Sequence, residues 1–158
     1  MKIYKRQWQQ FVPASLDDVW AFFSRPENLD RITPPDMKFE ILTDLAGVPM
    51  YQGMLIRYRV SPFPLFSMNW LTEITAVVEG EYFIDEQRDG PYRLWHHEHR
   101  FAVEGDGVIM TDRLHYSLPF GPIGRVANSL VVGKRIDDIF THRKQVITQL
   151  FPSANQVA

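Results

Sequence analysis

Cysteine is absent from this chain. That excludes disulfides, thiolate nucleophiles and any metal held by sulfur. No apolar stretch approaches the roughly 20 residues that span a bilayer, so no integral membrane segment is expected. The N-terminus, Met1 to Arg6, is basic, but no apolar segment follows it. A secretory leader is therefore not expected, and a cytoplasmic protein is the default. No run of basic residues occurs, and the formal net charge is −2, which argues against a nucleic-acid partner. There is no glycine-rich phosphate loop and no dinucleotide fingerprint, so no cofactor is expected. Repeats, low-complexity segments and linkers are also missing.

Aromatic side chains are plentiful, at 13% of 158 residues. The hydrophobic fraction of 45% is normal for a globular chain. This length and composition predict a single domain over residues 1–151, with a flexible tail at 152–158.

The chain is organised around its C-terminal stretch. The spacing predicts one long helix over Pro122–Leu150, opened by Gly121-Pro122 and stopped by Phe151-Pro152. Ile123, Val126, Ala127, Leu130, Val131, Ile136, Phe140, Ile147 and Leu150 mark its apolar face. At 1.5 Å per residue it would be about 43 Å long. A helix of that length needs a broad apolar surface to lie on. Gly133 in its middle points to a kink or to space kept free.

Earlier in the chain, residues 2–12 read as a strand. Ser15-Leu16-Asp17-Asp18 reads as a helix start with a capping side chain, and Leu16, Val19, Trp20 and Phe23 form one apolar face. Glu27 to Ile32 reads as a second short helix, ended by Thr33-Pro34-Pro35. From Met37 the period changes to two. Strands are predicted near 38–44, from Met54 to Val60, from Met68 to Val78, over 81–87, over 93–104 and over 108–118. Short connections make this an antiparallel sheet. A twisted seven-stranded sheet curls, and the long helix can lie in its concave face.

Pro26-Glu27-Asn28-Leu29, Ile32-Thr33-Pro34, Phe83-Ile84-Asp85-Glu86-Gln87 and Gly90-Pro91-Tyr92 recur with this element order. So do Trp95-His96-His97-Glu98-His99-Arg100-Phe101 and Leu118-Pro119-Phe120-Gly121. On these motifs, over about residues 1–151, the chain resembles the START-like, helix-grip (SRPBCC) superfamily. It looks most like a bacterial ligand-binding subfamily of polyketide cyclase/dehydrase and lipid-transport type. The resemblance implies an α+β helix-grip fold: a curved seven-stranded antiparallel sheet around a long C-terminal helix, with two short helices between strands 1 and 2. It also implies an internal ligand cavity, but not which ligand, because fold alone does not determine function.

Three of the five histidines fall between His96 and His99. Strand alternation puts Trp95, His97, His99, Phe101 and Val103 on one face and His96, Glu98 and Arg100 on the other. Phe101 and Val103 mark the first face as inner. A two-residue Gly105-Asp106 loop sets Phe101 opposite Met110, His99 opposite Asp112, His97 opposite Leu114 and Trp95 opposite Tyr116. Three readings of this group stand open. It can be a buried network, with Asp112 accepting from His99 and His97 satisfied by Tyr116 or water. It can orient a ligand in an apolar pocket. It can catalyse, with His99 as a base oriented by Asp112. His97, His99 and Asp112 also suggest a metal site, but no further ligand can be placed, so no metal is expected. Lys134, Arg135, Arg143 and Lys144 read as a solvated helix face.

The residues thus predict a cavity that binds a small hydrophobic molecule, and the resemblance implies a lipid, an isoprenoid or an aromatic polyketide. Its expected walls are Met54, Tyr58, Trp70, Thr72, Tyr82, Ile84, Trp95, His97, His99, Asp112, Leu114 and Tyr116. Leu130, Gly133 and Phe140 would form the helix side. The alternatives are a cyclase or dehydratase using His99 and Asp112, and a protein-interaction domain without a ligand. No particular protein partner is indicated.

Overall fold

The structure, a computed structural model, describes residues 1–45, 47–63 and 66–153. Pro64 and most of the expected tail, residues 154–158, lie outside the described residues. The elements follow the expected order. β1 (Tyr4–Val12) is followed by α1 (Leu16–Phe23) and two short 3-10 helices, Pro26–Ile32 and Pro35–Met37. Six strands come next: β2 (Glu40–Ile41), β3 (Leu55–Phe63), β4 (Phe66–Val78), β5 (Tyr82–Asp89), β6 (Leu94–Glu104) and β7 (Gly107–Ser117). A continuous helical run closes the fold: α2 (Gly121–Ala127), a π-helical stretch (Asn128–Val132) and α3 (Gly133–Leu150).

The seven strands form one sheet in the order β1-β7-β6-β5-β4-β3-β2. Every neighbouring pair is antiparallel. The helix-grip architecture read from the sequence is the one found: a curved sheet wrapped around a long C-terminal helix.

Local chemistry explains the main elements. Ser15 caps α1, its hydroxyl accepting from the Asp18 N–H at 3.2 Å. Val19 and Phe23 then bury one face of that helix. In β3 the alternation is clean, with Ile56, Tyr58 and Val60 inside and Leu55, Arg57 and Arg59 outside. Each such apolar side chain contributes about 1.5–3 kcal/mol by leaving water. The β6–β7 register matches the sequence reading pair by pair, from Trp95 opposite Tyr116 to Glu104 opposite Gly107.

Four local expectations are corrected. The strand near 38–44 pairs over only Glu40–Ile41. β3 continues through Ser61, Pro62 and Phe63, although Ser61-Pro62-Phe63-Pro64 reads in the sequence as a break after Val60. That is possible because the pairing with β4 shifts between Val60 and Phe63, so the proline's missing donor breaks no regular ladder. In β4 the alternation of the sequence puts Val78 on the inner face with Met68, Trp70, Thr72, Ile74 and Ala76, but an irregularity between Ile74 and Ala76 flips it, so Val77 packs on the core and Val78 faces out. Finally, the first half of the long helix does not bury its apolar residues. Ile123, Val126, Leu130 and Val131 are exposed, Leu130 by 72%. In that half the buried residues are Gly124 and Asn128, and the apolar stripe enters the core from Val132 and Gly133 onward, through Ile136, Phe140 and Ile147.

Candidate functional site

Between the concave sheet, α3 and the short helices lies a cavity of about 250 Å³. Its walls are mostly apolar, with Ile32, Val60, Ile74, Phe83 and Ile136 among them. Tyr58, Trp70, Thr72, Trp95, His97, His99 and Phe140 stand on this wall. Met54, Asp112, Leu114, Tyr116 and Gly133 are buried behind it. Leu114 and Tyr116 pack under the helix with Ile136 and Phe140. The Tyr116 hydroxyl donates to Asn128 Oδ1 at 2.8 Å, so it does not serve His97 as expected. A Cβ on Gly133 would meet the Asn128 carbonyl at 3.0 Å and the Arg6 guanidinium at 3.4 Å. The space kept free there belongs to those groups.

Tyr82, Ile84 and Leu130 are corrections. In β5 the inner residues are Phe83 and Asp85, which pair with His99 and His97. Directly paired residues share a face, so Tyr82 and Ile84, opposite Arg100 and Glu98, must lie outside. The Arg100 guanidinium sits 4.9 Å from the Tyr82 ring centroid on that outer side. Leu130 is exposed because α2 and the π stretch run past the region that the core covers.

The polar part of the wall is a compact cluster. His97 Nε2 lies 3.0 Å from Asp112 Oδ1, and His99 Nε2 lies 2.7 Å from Asp85 Oδ2. His97 Nδ1 is 3.3 Å from Asp85 Oδ2. Arg143 Nη2 is 3.3 Å from His99 Nδ1, and Nη1 is 3.6 Å from Asp112 Oδ1. Trp95 Nε1–H donates to Asp85 Oδ1 at 3.2 Å. The expected proximity of His99 to Asp112 is present, with His99 Nδ1 3.0 Å from Asp112 Oδ1. That nitrogen, however, is shared with Arg143.

Both histidines and Arg143 face the Asp85 and Asp112 carboxylates, so the buried negative charges are compensated within the cluster. Burial alone would push the His97 pKa down, but the Asp85 and Asp112 carboxylates outweigh it and raise it. Burial would raise Asp85, but His97 and His99 hold it below the usual carboxylate range. Asp112 is held well below that range, since Arg143 and both histidines outweigh its burial. Tyr58 is pushed above the ordinary phenol value by burial and by the charge of Asp85.

Asp85 and Arg143 were missed by sequence reasoning. Three consecutive apolar residues, Tyr82-Phe83-Ile84, hide the parity of β5. Reading its register against the inner His97 and His99 would have revealed it. Arg143 was assigned to a solvated face, but it lies with Ile136, Phe140 and Ile147 on the buried face of α3. A charged residue at stripe spacing is itself a signal of a buried ion pair. Its guanidinium sits between the Phe23 and Phe140 rings, at 5.5 and 5.6 Å. Arg135 is likewise not free, binding Asp36 and the Pro62 carbonyl.

For a metal, the third ligand that converges with His97 and His99 is Asp85, where the sequence reading had put Asp112. One donor atom from each of Asp85, His97 and His99 falls within 4.8 Å of the others. Arg143, on the far side of His99, places a fixed positive charge beside that group.

The profile of the polyketide cyclase/dehydrase and lipid transport family matches residues 12–140. No curated protein sequence matches the chain. Among solved structures, the ginseng (Panax ginseng) major latex-like protein 151 superposes with a TM-score of 0.68 at 15% identity. The match covers 95% of this chain and 98% of that one. A norcoclaurine synthase point mutant from Thalictrum flavum, in complex with a transition-state analogue, gives 0.65 at 15% identity over 94% and 96%. A protein from Thermus thermophilus gives 0.64 at 15% over 93% and 99%. At these identities the likeness is one of fold.

Proposed function

Because the chain belongs to the polyketide cyclase/dehydrase and lipid transport family, we propose that it binds a small hydrophobic molecule in the internal cavity. The ligand is a lipid, an isoprenoid or an aromatic polyketide. The observation that carries this reading is the cavity itself: about 250 Å³ of apolar-walled space with one polar cluster on its side. Small-molecule sites are built that way, with burial for affinity and a few polar groups for orientation. A domain serving only protein contacts would have filled that volume.

The second reading, a cyclase or dehydratase using His99 and Asp112, is less well supported by the geometry. A general base needs a free lone pair within reach of substrate. Both ring nitrogens of His99 are engaged, by Asp85 and by Arg143. Asp112 is engaged by His97 and lies behind the wall.

Titration with the uncharged dye N-phenyl-1-naphthylamine tests the binding reading. A saturable, single-site rise in dye fluorescence is expected. Thr72→Phe, which projects a ring into the cavity, should weaken it about tenfold or more. Non-saturable binding, or binding indifferent to Thr72→Phe in a folded variant, contradicts the reading.

A further inference from the structure

Asp85 is a charged group on a mostly apolar cavity wall that also carries His97, His99, Arg25, Arg135 and Arg143, and its acceptor capacity is not exhausted. A carboxylate offers about four lone-pair sites. Trp95 uses one at Oδ1, and His99 and His97 approach Oδ2. Asp85 is the most accessible member of the cluster, with 19% of its side-chain surface open against 5% for each histidine and 9% for Asp112. It sits on the inner face of β5 and on the cavity wall, so that opening is toward the cavity. Across the same wall the buried Tyr58 phenol feels its charge. No hydrogen bond to the Tyr58 hydroxyl is found among the described residues. Within the cluster the positive groups are held by their neighbours, although Arg143 Nε has no hydrogen-bond partner and Arg25 lines the same pocket. His97 is committed to Asp112 and Asp85, and Arg143 to Asp112 and His99, between two aromatic rings.

We infer that Asp85 is the group that selects the ligand, and that the pocket takes an apolar molecule carrying an O–H or N–H donor, not a carboxylate. The inference rests on the cavity being a ligand site. An ionised carboxylate in apolar surroundings gains most from a further donor. A ligand hydroxyl placed against Asp85 Oδ1 supplies it and can also meet the Tyr58 hydroxyl. A carboxylate ligand would set two negative charges together where little water screens them. Phenols and long-chain alcohols fit this wall; a carboxylate set against Asp85 does not.

Three naphthalenes of similar size test this by calorimetry at neutral pH: 2-naphthol, 2-methylnaphthalene and 2-naphthoate. The expected order is 2-naphthol about tenfold tighter than 2-methylnaphthalene, with 2-naphthoate weakest. In Asp85→Asn the penalty on 2-naphthoate should shrink by at least tenfold relative to 2-naphthol, with Tm followed to confirm folding. If Asp85→Asn does not fold, the order in the unaltered protein still decides. Tightest binding by 2-naphthoate, or an order unchanged in a folded Asp85→Asn, overturns the role of Asp85 and leaves the cavity reading standing. If none of the three binds, the cavity reading falls and the inference falls with it. Stoichiometric metal in the protein as purified, lost in Asp85→Asn, also overturns it, because the metal would take the open lone pair.

Discussion

Arg143 is the residue whose removal should cost most. It compensates Asp112 in a place that water barely reaches, with each side chain under 10% exposed. Breaking a buried pair by deleting one member costs about 3–5 kcal/mol, because the other charge stays behind. Arg143→Leu should therefore lower stability by about that amount in urea unfolding. Arg143→Lys should lose less, since it keeps the charge but not the fork that reaches Asp112 and His99 together. Equal midpoints for the two variants and the parent protein would refute the buried pairing of Arg143 with Asp112. The same cluster predicts a pH profile. Asp85 and Asp112 have depressed pKa values in the folded state, so their stabilisation is present above about pH 4 and lost on acidification below it. His97 has a raised value, so its stabilisation is complete below about pH 6.5 and lost as pH rises through its folded pKa. Thermal midpoints should thus peak between about pH 4 and 6.5 and fall on both sides. His97→Gln should flatten the alkaline limb and leave the acid limb in place; an alkaline limb that survives in His97→Gln assigns it to another group.

At the scale of elements, the two halves of the C-terminal helix make a contrast that unfolding can measure. Leu130 is exposed and Ile136 is 1% exposed, though both fall on the stripe read from the sequence. Leu130→Gln should change stability by no more than about 0.5 kcal/mol. Ile136→Ala should cost about 2–5 kcal/mol. Comparable losses at both positions would mean that the first half of the helix is covered in the folded protein. Periodicity shows which residues share a face of a helix but not where the core ends, so the stripe over 123–131 was over-read. Hairpins were more legible. The Gly105-Asp106 turn allows one compact register, and that register brought Asp112 to the histidines. The turn also depends on its neighbour: a Cβ at Gly107 would run into the Val12 carbonyl and the Phe11 ring. Gly107→Ala should accordingly destabilise by about 1–3 kcal/mol, and a neutral result would show that β1 can move off β7 at little cost. In β5 no such turn constrained the reading, and apolar residues on both faces concealed Asp85.

At the scale of the molecule, the order of elements and their periods were enough for the architecture. A long helix needs a surface, and a twisted antiparallel sheet of seven strands supplies a curved one. The cavity was legible in outline for the same reason, since a curled sheet and a straight helix do not fill the space between them. Its chemistry was only half legible. His97 and His99 came from strand alternation, whereas Asp85 and Arg143 depend on which strand and which helix turn are brought to them in three dimensions. The central claim is that this space holds an apolar molecule, and native mass spectrometry of the protein purified from its own host tests it most directly. The expected result is a stoichiometric non-covalent adduct of small-molecule mass that is released on acid or solvent unfolding and is lost in Thr72→Phe. A bare chain mass under conditions that preserve the fold, unchanged after incubation with a neutral lipid extract of that host, would contradict it.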